Sequence, residues 1–484
     1  MISHTSTIIN LKAEVLYKVA QLAYEGELEE RMDEIPYEII PGPKANFRCC
    51  IYKEREIIRQ RVRLAKGQSP VAGQDNKNIV QTITSACEDC PITRFVVTDN
   101  CRKCLAKKCQ ENCNFGAISM GKDRAYIDSS KCKECGKCAQ SCQYNAIADL
   151  MRPCKRSCPV DAITMDENNI VKIDEDKCIQ CGHCIKDCPF GAISDRSFIV
   201  DVINLIKTGV KVYAMLAPAG EGQFGNVTMG AMRQAVKDLG FADMYEVALG
   251  GDMTADAEAA EWAEAYKEGK KMTTSCCPAF VNMIKKHYPE VLENMSTTVS
   301  PMVALSRFIK ANEPDCYTVF IGPCIAKKDE VNSTIGTGSA DYALTFEELH
   351  ALFRAKDIDP ASYKGGDFQQ GSAYGKRFGD SGGVTAAVVQ ALKEQEKELD
   401  INVMVCNGET ECKKGLLMLK LGKLPQDFIE GMICEGGCVN GPGSHRYAIP
   451  SKKDRNMLLA NADKRDIKEA LEPTQEVEFS MHRH

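Results

Sequence analysis

The stretch Cys178-Ile179-Gln180-Cys181-Gly182-His183-Cys184-Ile185-Lys186-Asp187-Cys188-Pro189 decides how the first part of this chain folds. Three thiolates, each separated by two residues, wrap three corners of a 4Fe–4S cube. A fourth, just before proline, reaches the other cluster of a pair. Working outward, Cys132, Cys135, Cys138 and Cys142 repeat the spacing, with Gln143 in place of proline. Cys101, Cys104, Cys109 and Cys113 form a stretched version. Crossing over then gives one cluster on Cys101, Cys104, Cys109 and Cys142, and another on Cys132, Cys135, Cys138 and Cys113. Cys178, Cys181 and Cys184 need a fourth ligand, and Cys158, before Pro159, fits. That leaves Cys87, Cys90, Cys154 and Cys188 for a fourth cluster.

These sixteen cysteines, of 26 in the 484-residue chain, all fall between Cys87 and Cys188. Secreted disulfide proteins are short and do not need tight C-x2-C runs, so the pattern means metal-bound thiolates in a reducing cytoplasm. Structural zinc also uses C-x2-C pairs, but seldom stacks three such runs. The same region holds an internal repeat: Gly116-Ala117-Ile118, Asn145-Ala146-Ile147, Asp161-Ala162-Ile163 and Gly191-Ala192-Ile193 each closely follow a cysteine. Each unit resembles half of a bacterial two-cluster ferredoxin, so two ferredoxin-like modules are expected in tandem.

Four regions separate along the chain. Residues 1–78 carry helical patterns over Leu11–Met32 and Lys53–Leu64, with Pro36, Pro41 and Pro43 between them. Residues 79–197 are the cysteine-dense part. Residues 198–448 read as α/β: apolar strands at Val210–Leu216, Tyr317–Ile321 and Ile401–Val405 alternate with helices at Thr228–Leu239 and Val384–Gln395. Residues 449–484 read as a polar, frayed tail ending in His482 and His484. The fold class is therefore α+β and multidomain, with ferredoxin-like 4Fe–4S modules ahead of an α/β domain built on parallel or mixed sheets. A net charge of −6 with mixed signs implies no face for nucleic acid. No secretory signal is evident, and Leu11–Leu22 is too short and charged to span a bilayer.

Three cysteine motifs are scattered through the α/β region: Thr274-Ser275-Cys276-Cys277-Pro278-Ala279-Phe280, Gly322-Pro323-Cys324-Ile325-Ala326-Lys327, and Glu430-Gly431-Met432-Ile433-Cys434-Glu435-Gly436-Gly437-Cys438. Loops at the carboxyl ends of separate strands can bring them to one point. They resemble the three signatures of iron-iron hydrogenases, and the resemblance covers roughly residues 79–448. It implies a cubane held by Cys277, Cys324, Cys434 and Cys438. Cys438 would bridge to a diiron unit bearing CO, cyanide and azadithiolate. It implies Cys276 as a free thiol that donates and accepts protons, Lys327 on a cyanide ligand, and Met432 packed against the diiron unit. Soft thiolates suit such clusters, and a thiol is a competent proton carrier near neutrality. Ala217-Pro218, Phe378-Gly379 and Ser381 resemble elements of the surrounding pocket.

The segment Asp252–Glu261 resembles the family stretch that carries relay glutamates. Glu258 and Glu261, three apart, share a helix face. Ser300, before Pro301, is taken as the relay serine, so protons would run from Cys276 through Glu258, Ser300 and Glu261 to solvent. The chain departs from many family members in having Phe280 for Trp, Gly322 for Met and Ala219 for Ser or Thr. Gly322 is expected to leave the diiron pocket roomier. The resemblance implies reversible H2 chemistry in an anaerobic cytoplasm, with ferredoxin or flavodoxin as electron partner and maturation proteins to build the cofactor. No dinucleotide fingerprint appears, which points away from direct NAD use. Cluster-holding assembly factors and sensor hydrogenases are the rival readings. Cys49, Cys50, Cys316, Cys406 and Cys412 have no partner spacing and are expected to be buried structural thiols. Trp262 is expected to serve helix packing.

Overall fold

The computed structural model describes residues 7–483 apart from 89, 92, 335–336, 367, 398, 446–447 and 463; His484 lies outside them. The Ala-Ile repeat has a physical cause. The backbone N–H groups of Ala117, Ala146, Ala162 and Ala192 donate to the sulfurs of Cys113, Cys142, Cys158 and Cys188, four residues earlier, at 3.2–3.3 Å. A side chain larger than Ala would not fit, since all four are nearly fully buried. The following isoleucines begin short strands that cover the cysteine loops.

The two modules are nested rather than strung end to end. Val80–Thr82 pairs antiparallel with Ile193–Asp195, so the module bearing Cys101–Cys142, closed by Phe95–Val97 against Ile147–Asp149, is inserted into the other. Residues 87–90 and 154–188 thereby belong to one body. A three-residue strand whose partner lies more than a hundred positions away leaves no local signal.

Residues 198 onward build two parallel sheets. One runs Asp243–Glu246, Val212–Leu216, Tyr317–Ile321, Tyr342–Leu344; the other runs Met272–Thr273, Phe428–Met432, Val403–Asn407. The strand Phe428–Met432 is buried at every position, as expected of a parallel strand covered on both faces. Helix Val247–Lys267 crosses between the two sheets' layers, and its Trp262 stacks on Phe428 at 4.1 Å between ring centroids. In this region the expected strands and helices appear, shifted by two residues or fewer, whereas the helical pattern expected over Leu11–Met32 is Thr7–Glu25 followed by a separate turn of helix at Leu28–Arg31.

The N-terminal helices form a clasp. Helix Thr7–Glu25 buries Val15, Leu16, Val19 and Ala20 against helices Ile51–Ala65, Ile199–Lys207 and Phe346–Ala355. The polar tail is not frayed. Helix Ala448–Ala460 packs near the Cys438 turn, and Val477, Phe479 and Met481 pack against the core. Residues 477–482 alternate apolar and polar, the pattern of a half-buried extended segment, which composition alone hides. Among the described residues, no helix is long and apolar enough to cross a membrane.

Candidate active site and cluster-binding centres

Four of the site loops leave the carboxyl ends of parallel strands, and Phe378-Gly379 follows the short helix Ala373–Arg377. Ala217-Pro218 follows Val212–Leu216, Cys324 follows Tyr317–Ile321, Cys276-Cys277 follows Met272–Thr273, and Cys434 follows Phe428–Met432. They meet in one apolar cavity lined by Ala217, Pro218, Cys276, Cys277, Phe320, Cys324, Lys327, Phe378, Gly379, Met432, Cys434 and Cys438. Ser381 does not line it; its backbone N lies against Gly437 instead. Gly437 (φ 94°) brings the chain so close that a Cβ would meet the Gly379 carbonyl at 2.6 Å, and this approach places Cys438 N 2.8 Å from that oxygen. Buried Glu430 accepts from the N–H groups of Gly382 and Thr385, both at 2.8 Å, and fixes the facing loop.

Burial raises the thiols of Cys276, Cys324, Cys434 and Cys438, with Cys324 pushed up to about 12. For Cys276 the Glu258 and Cys277 charges add to burial, and Lys327 opposes them. Burial disfavours a free thiolate, so these sulfurs would ionise there only when bound to a metal, which stabilises the thiolate. Cys277, Cys324, Cys434 and Cys438 line one cavity, a set of four soft donors. A cubane, in which each iron takes one thiolate, needs wider spacing than a mononuclear site. The donor set therefore fits a cluster.

Lys327 is buried. Its Nζ donates to Ser300 Oγ at 2.8 Å and to Glu330 Oε2 at 2.6 Å. Two of its three N–H bonds are thus committed, and one is left for the cavity. Ser300 is consequently not between the glutamates, which corrects the expected relay. Helix Pro301–Asn312 begins at this residue and turns its hydroxyl toward Lys327. Ser296 places its hydroxyl on Glu261 instead. It donates to Glu261 Oε2 at 2.5 Å, alongside Thr297 N and Oγ1 on Oε1 and Thr298 Oγ1 on Oε2. The signal was the Ser296-Thr297-Thr298 hydroxyl run, which the Ser-Pro pair overshadowed. Burial alone would raise Glu261, but these donors hold it below its ordinary range. Glu258 is fully buried with both carboxylate oxygens unpartnered. Burial and the neighbouring Glu261 charge push it up to about 8.

Gly322 does not open the pocket. A Cβ there would meet the Phe320 ring at 2.6 Å and Ala217 at 3.0 Å. Phe320 folds back into the space that a larger residue at 322 would take. Phe280 is fully buried against Gly431.

The accessory cysteines gather in four groups. Cys109 lies with Cys104 and Cys142, and Cys113, Cys132, Cys135 and Cys138 line one small cavity. Cys154 faces Cys188, Cys87 and Cys90, and Cys184 faces Cys181, Cys178 and Cys158. Lys103, Lys107, Glu134 and Gln180, all beside ligand cysteines, have positive φ. Such turns aim successive N–H groups inward, as anionic clusters require. The groups also form a sequence: Cys154 lies near Cys184, and Cys181 near Cys434. Of the unassigned thiols, Cys316, Cys406 and Cys412 are buried, but Cys49 and Cys50 are exposed, against expectation. They precede helix Ile51–Ala65, at its solvent-facing start.

Iron–sulfur modules beside a buried cysteine-lined cavity define an iron–sulfur protein. Residues 210–442 match the model of the iron only hydrogenase large subunit, C-terminal domain. Residues 125–148 match a 4Fe-4S binding domain, and residues 147–199 match the LdpA Fe-S cluster-binding domain. The periplasmic [Fe] hydrogenase large subunit of Nitratidesulfovibrio vulgaris is 34% identical over 66% of this chain and 85% of its own length. Iron hydrogenase 1 of Clostridium pasteurianum is 28% identical over 70% of this chain and 68% of its own. The cytosolic Fe-S cluster assembly factor narfl of Xenopus tropicalis is 23% identical over 45% of this chain and 57% of its own. The solved [FeFe]-hydrogenase HydA1 of Chlamydomonas reinhardtii superposes with a TM-score of 0.46 at 21% identity, over 55% of this chain and 90% of that one. The chain belongs to the iron-only hydrogenase family and binds iron–sulfur clusters.

Proposed function

We propose that this protein is an iron-iron hydrogenase catalysing the reversible reaction 2H+ + 2e− = H2. Cys277, Cys324, Cys434 and Cys438 would hold the cubane, Cys438 would also meet the diiron unit, and the other sixteen cysteines would hold four 4Fe–4S clusters. When bound, the diiron unit with its CO, cyanide and azadithiolate ligands supplies the metal at which protons and electrons combine. The observation that carries this reading is a meeting in one buried cavity. Four cluster-type cysteines there are joined by a fifth, Cys276, and by Lys327, and the buried Glu258 lies close enough behind Cys276 for its charge to act on the thiol.

The protein's own residues then divide the work. Phe320, Met432, Pro218 and Phe378 exclude water. Lys327, held by Ser300 and Glu330, presents a cation to an anionic ligand without being buried unpaired. Cys276 gives a proton to the cavity and is reprotonated by Glu258, whose charge acts on the thiol. Glu258 is resupplied by Ser296 and Glu261. The Cys154 and Cys184 groups would hold clusters that supply electron transfer toward the cavity, with ferredoxin or flavodoxin as the external carrier in an anaerobic cytoplasm. Maturation proteins would supply the diiron unit.

The likeness to assembly factors favours one rival, a cluster-holding scaffold. The test is an infrared spectrum of anaerobically matured protein, with H2 evolution from reduced viologen on the same sample. CO and cyanide bands with turnover are expected. Full iron loading without those bands would leave the scaffold. Cys276→Ala should keep the bands and lose turnover; normal turnover would remove Cys276 from the path.

A further inference from the structure

We propose that the segment Val477–Arg483 completes the proton path, with His482 exchanging protons between bulk water and Glu261. The proposal rests on the hydrogenase reading only for what lies at the inner end of that path. Among the described residues, Thr297 Oγ1 lies 2.5 Å from Glu261 Oε1 and 2.9 Å from His482 Nδ1. The carboxylate takes four donors, from Ser296, Thr297 N, Thr297 Oγ1 and Thr298. Thr297 therefore spends its only O–H on Glu261, and its oxygen is left to accept from the imidazole Nδ1–H. That direction is the one proton delivery needs. An imidazolium N–H breaks as an O–H forms on Thr297, the former Thr297 proton passes to Glu261, and the exposed neutral ring is recharged from water. H2 oxidation runs the same steps in reverse.

The ring is held, not hanging. His482 bridges to Thr298, Val299 N donates to Met481 O at 2.8 Å, and Arg483 N donates to Thr297 O at 2.8 Å. Arg307 clamps the carbonyls of Ser480 and His482. Phe479 packs its ring on Phe308, 6.0 Å between centroids, and Arg483 Nη2 reaches Ser275 O at 2.6 Å, beside Cys276. A brace alone would need the backbone bonds and Phe479. It would not need an imidazole on the hydroxyl that serves the outer glutamate, and imidazole is the side chain suited to carrying protons near neutrality.

The test uses the full chain with its clusters. Stopped-flow infrared would follow protonation of the buried Glu258 carboxyl after a pH jump in dilute buffer, and H2 evolution would be measured on the same protein. His482→Asn keeps a hydrogen-bonding group for Thr297 but cannot relay. It should slow both by about tenfold, with recovery on adding free imidazole. Thr297→Val should slow both without recovery. Wild-type rates in His482→Asn, or a loss that imidazole does not restore, would overturn the proposal and leave the segment a brace. A slowed and rescued pH jump in a protein with no H2 turnover would keep the path and sink the hydrogenase reading.

Discussion

Glu258 has no hydrogen-bond partner for either oxygen and stands fully buried beside Glu261. One of two neighbouring carboxyls is thus protonated near neutrality and the other is not, the arrangement a relay needs. Its stability consequence has a definite sign. Folding raises the Glu258 pKa from about 4.5 to about 8, so the folded chain binds more protons and stability falls as pH rises through that window. Glu258→Gln should therefore melt higher than wild type at pH 9 and nearly the same at pH 5, while turnover is lost. Equal melting differences at both pH values would mean the carboxyl ionises without penalty. At Gly322 steric argument decides. Gly322→Met must displace the Phe320 ring, and overpacking of this kind costs about 1–3 kcal/mol. Denaturant unfolding should register that loss, and Phe320→Ala in the same chain should recover part of it.

Between elements, the strongest cross-links are ionic. Lys328 Nζ, fully buried, donates to Asp195 at 2.7 Å and Glu348 at 2.8 Å, and Lys12 Nζ reaches Asp195 at 3.0 Å. This ties the N-terminal clasp and the strand Ile193–Asp195 to the two-sheet domain. Burial alone would raise Asp195, but Lys12 and Lys328 more than offset it and hold it far below the usual range. The stabilisation is therefore complete at neutral pH and is lost as pH falls. Asp195→Ala removes the buried carboxylate that the two ammonium groups share and leaves each with one partner, Glu348 for Lys328 and Glu347 for Lys12, so the loss should be about 3 kcal/mol by denaturant unfolding. A loss below 1 kcal/mol would mean that water reaches the site.

At the scale of the molecule, nesting sets the route that electrons would take under the proposed function. Because residues 87–90 and 154–188 share one body, the Cys184 group sits against the catalytic domain, with Cys181 near Cys434. The inserted module then lies outermost, and its Cys135 is exposed. Cys181→Ala should abolish H2 evolution driven through the outer clusters but spare hydrogen–deuterium exchange at the active site. Loss of both would show that this cysteine supports the cubane itself.

Much was legible without coordinates. Cysteine spacing is local, so the ligand runs, the α/β elements and the three site motifs could be read directly. The Ala-Ile repeat was visible too, although its cause, an N–H on the cysteine sulfur, was not. Tertiary structure decided what depended on distance across the chain. It nested the modules, because a three-residue strand names no partner. It gave Ser300 to Lys327 and Ser296 to Glu261, because the direction of a hydroxyl follows from helix entry and not from a Ser-Pro pair. It filled the space at Gly322 with Phe320, since packing is decided by neighbours. It also brought His482, nearly two hundred residues from Thr297, onto the hydroxyl that serves Glu261. Motifs record which groups are present, and only packing determines which of them touch.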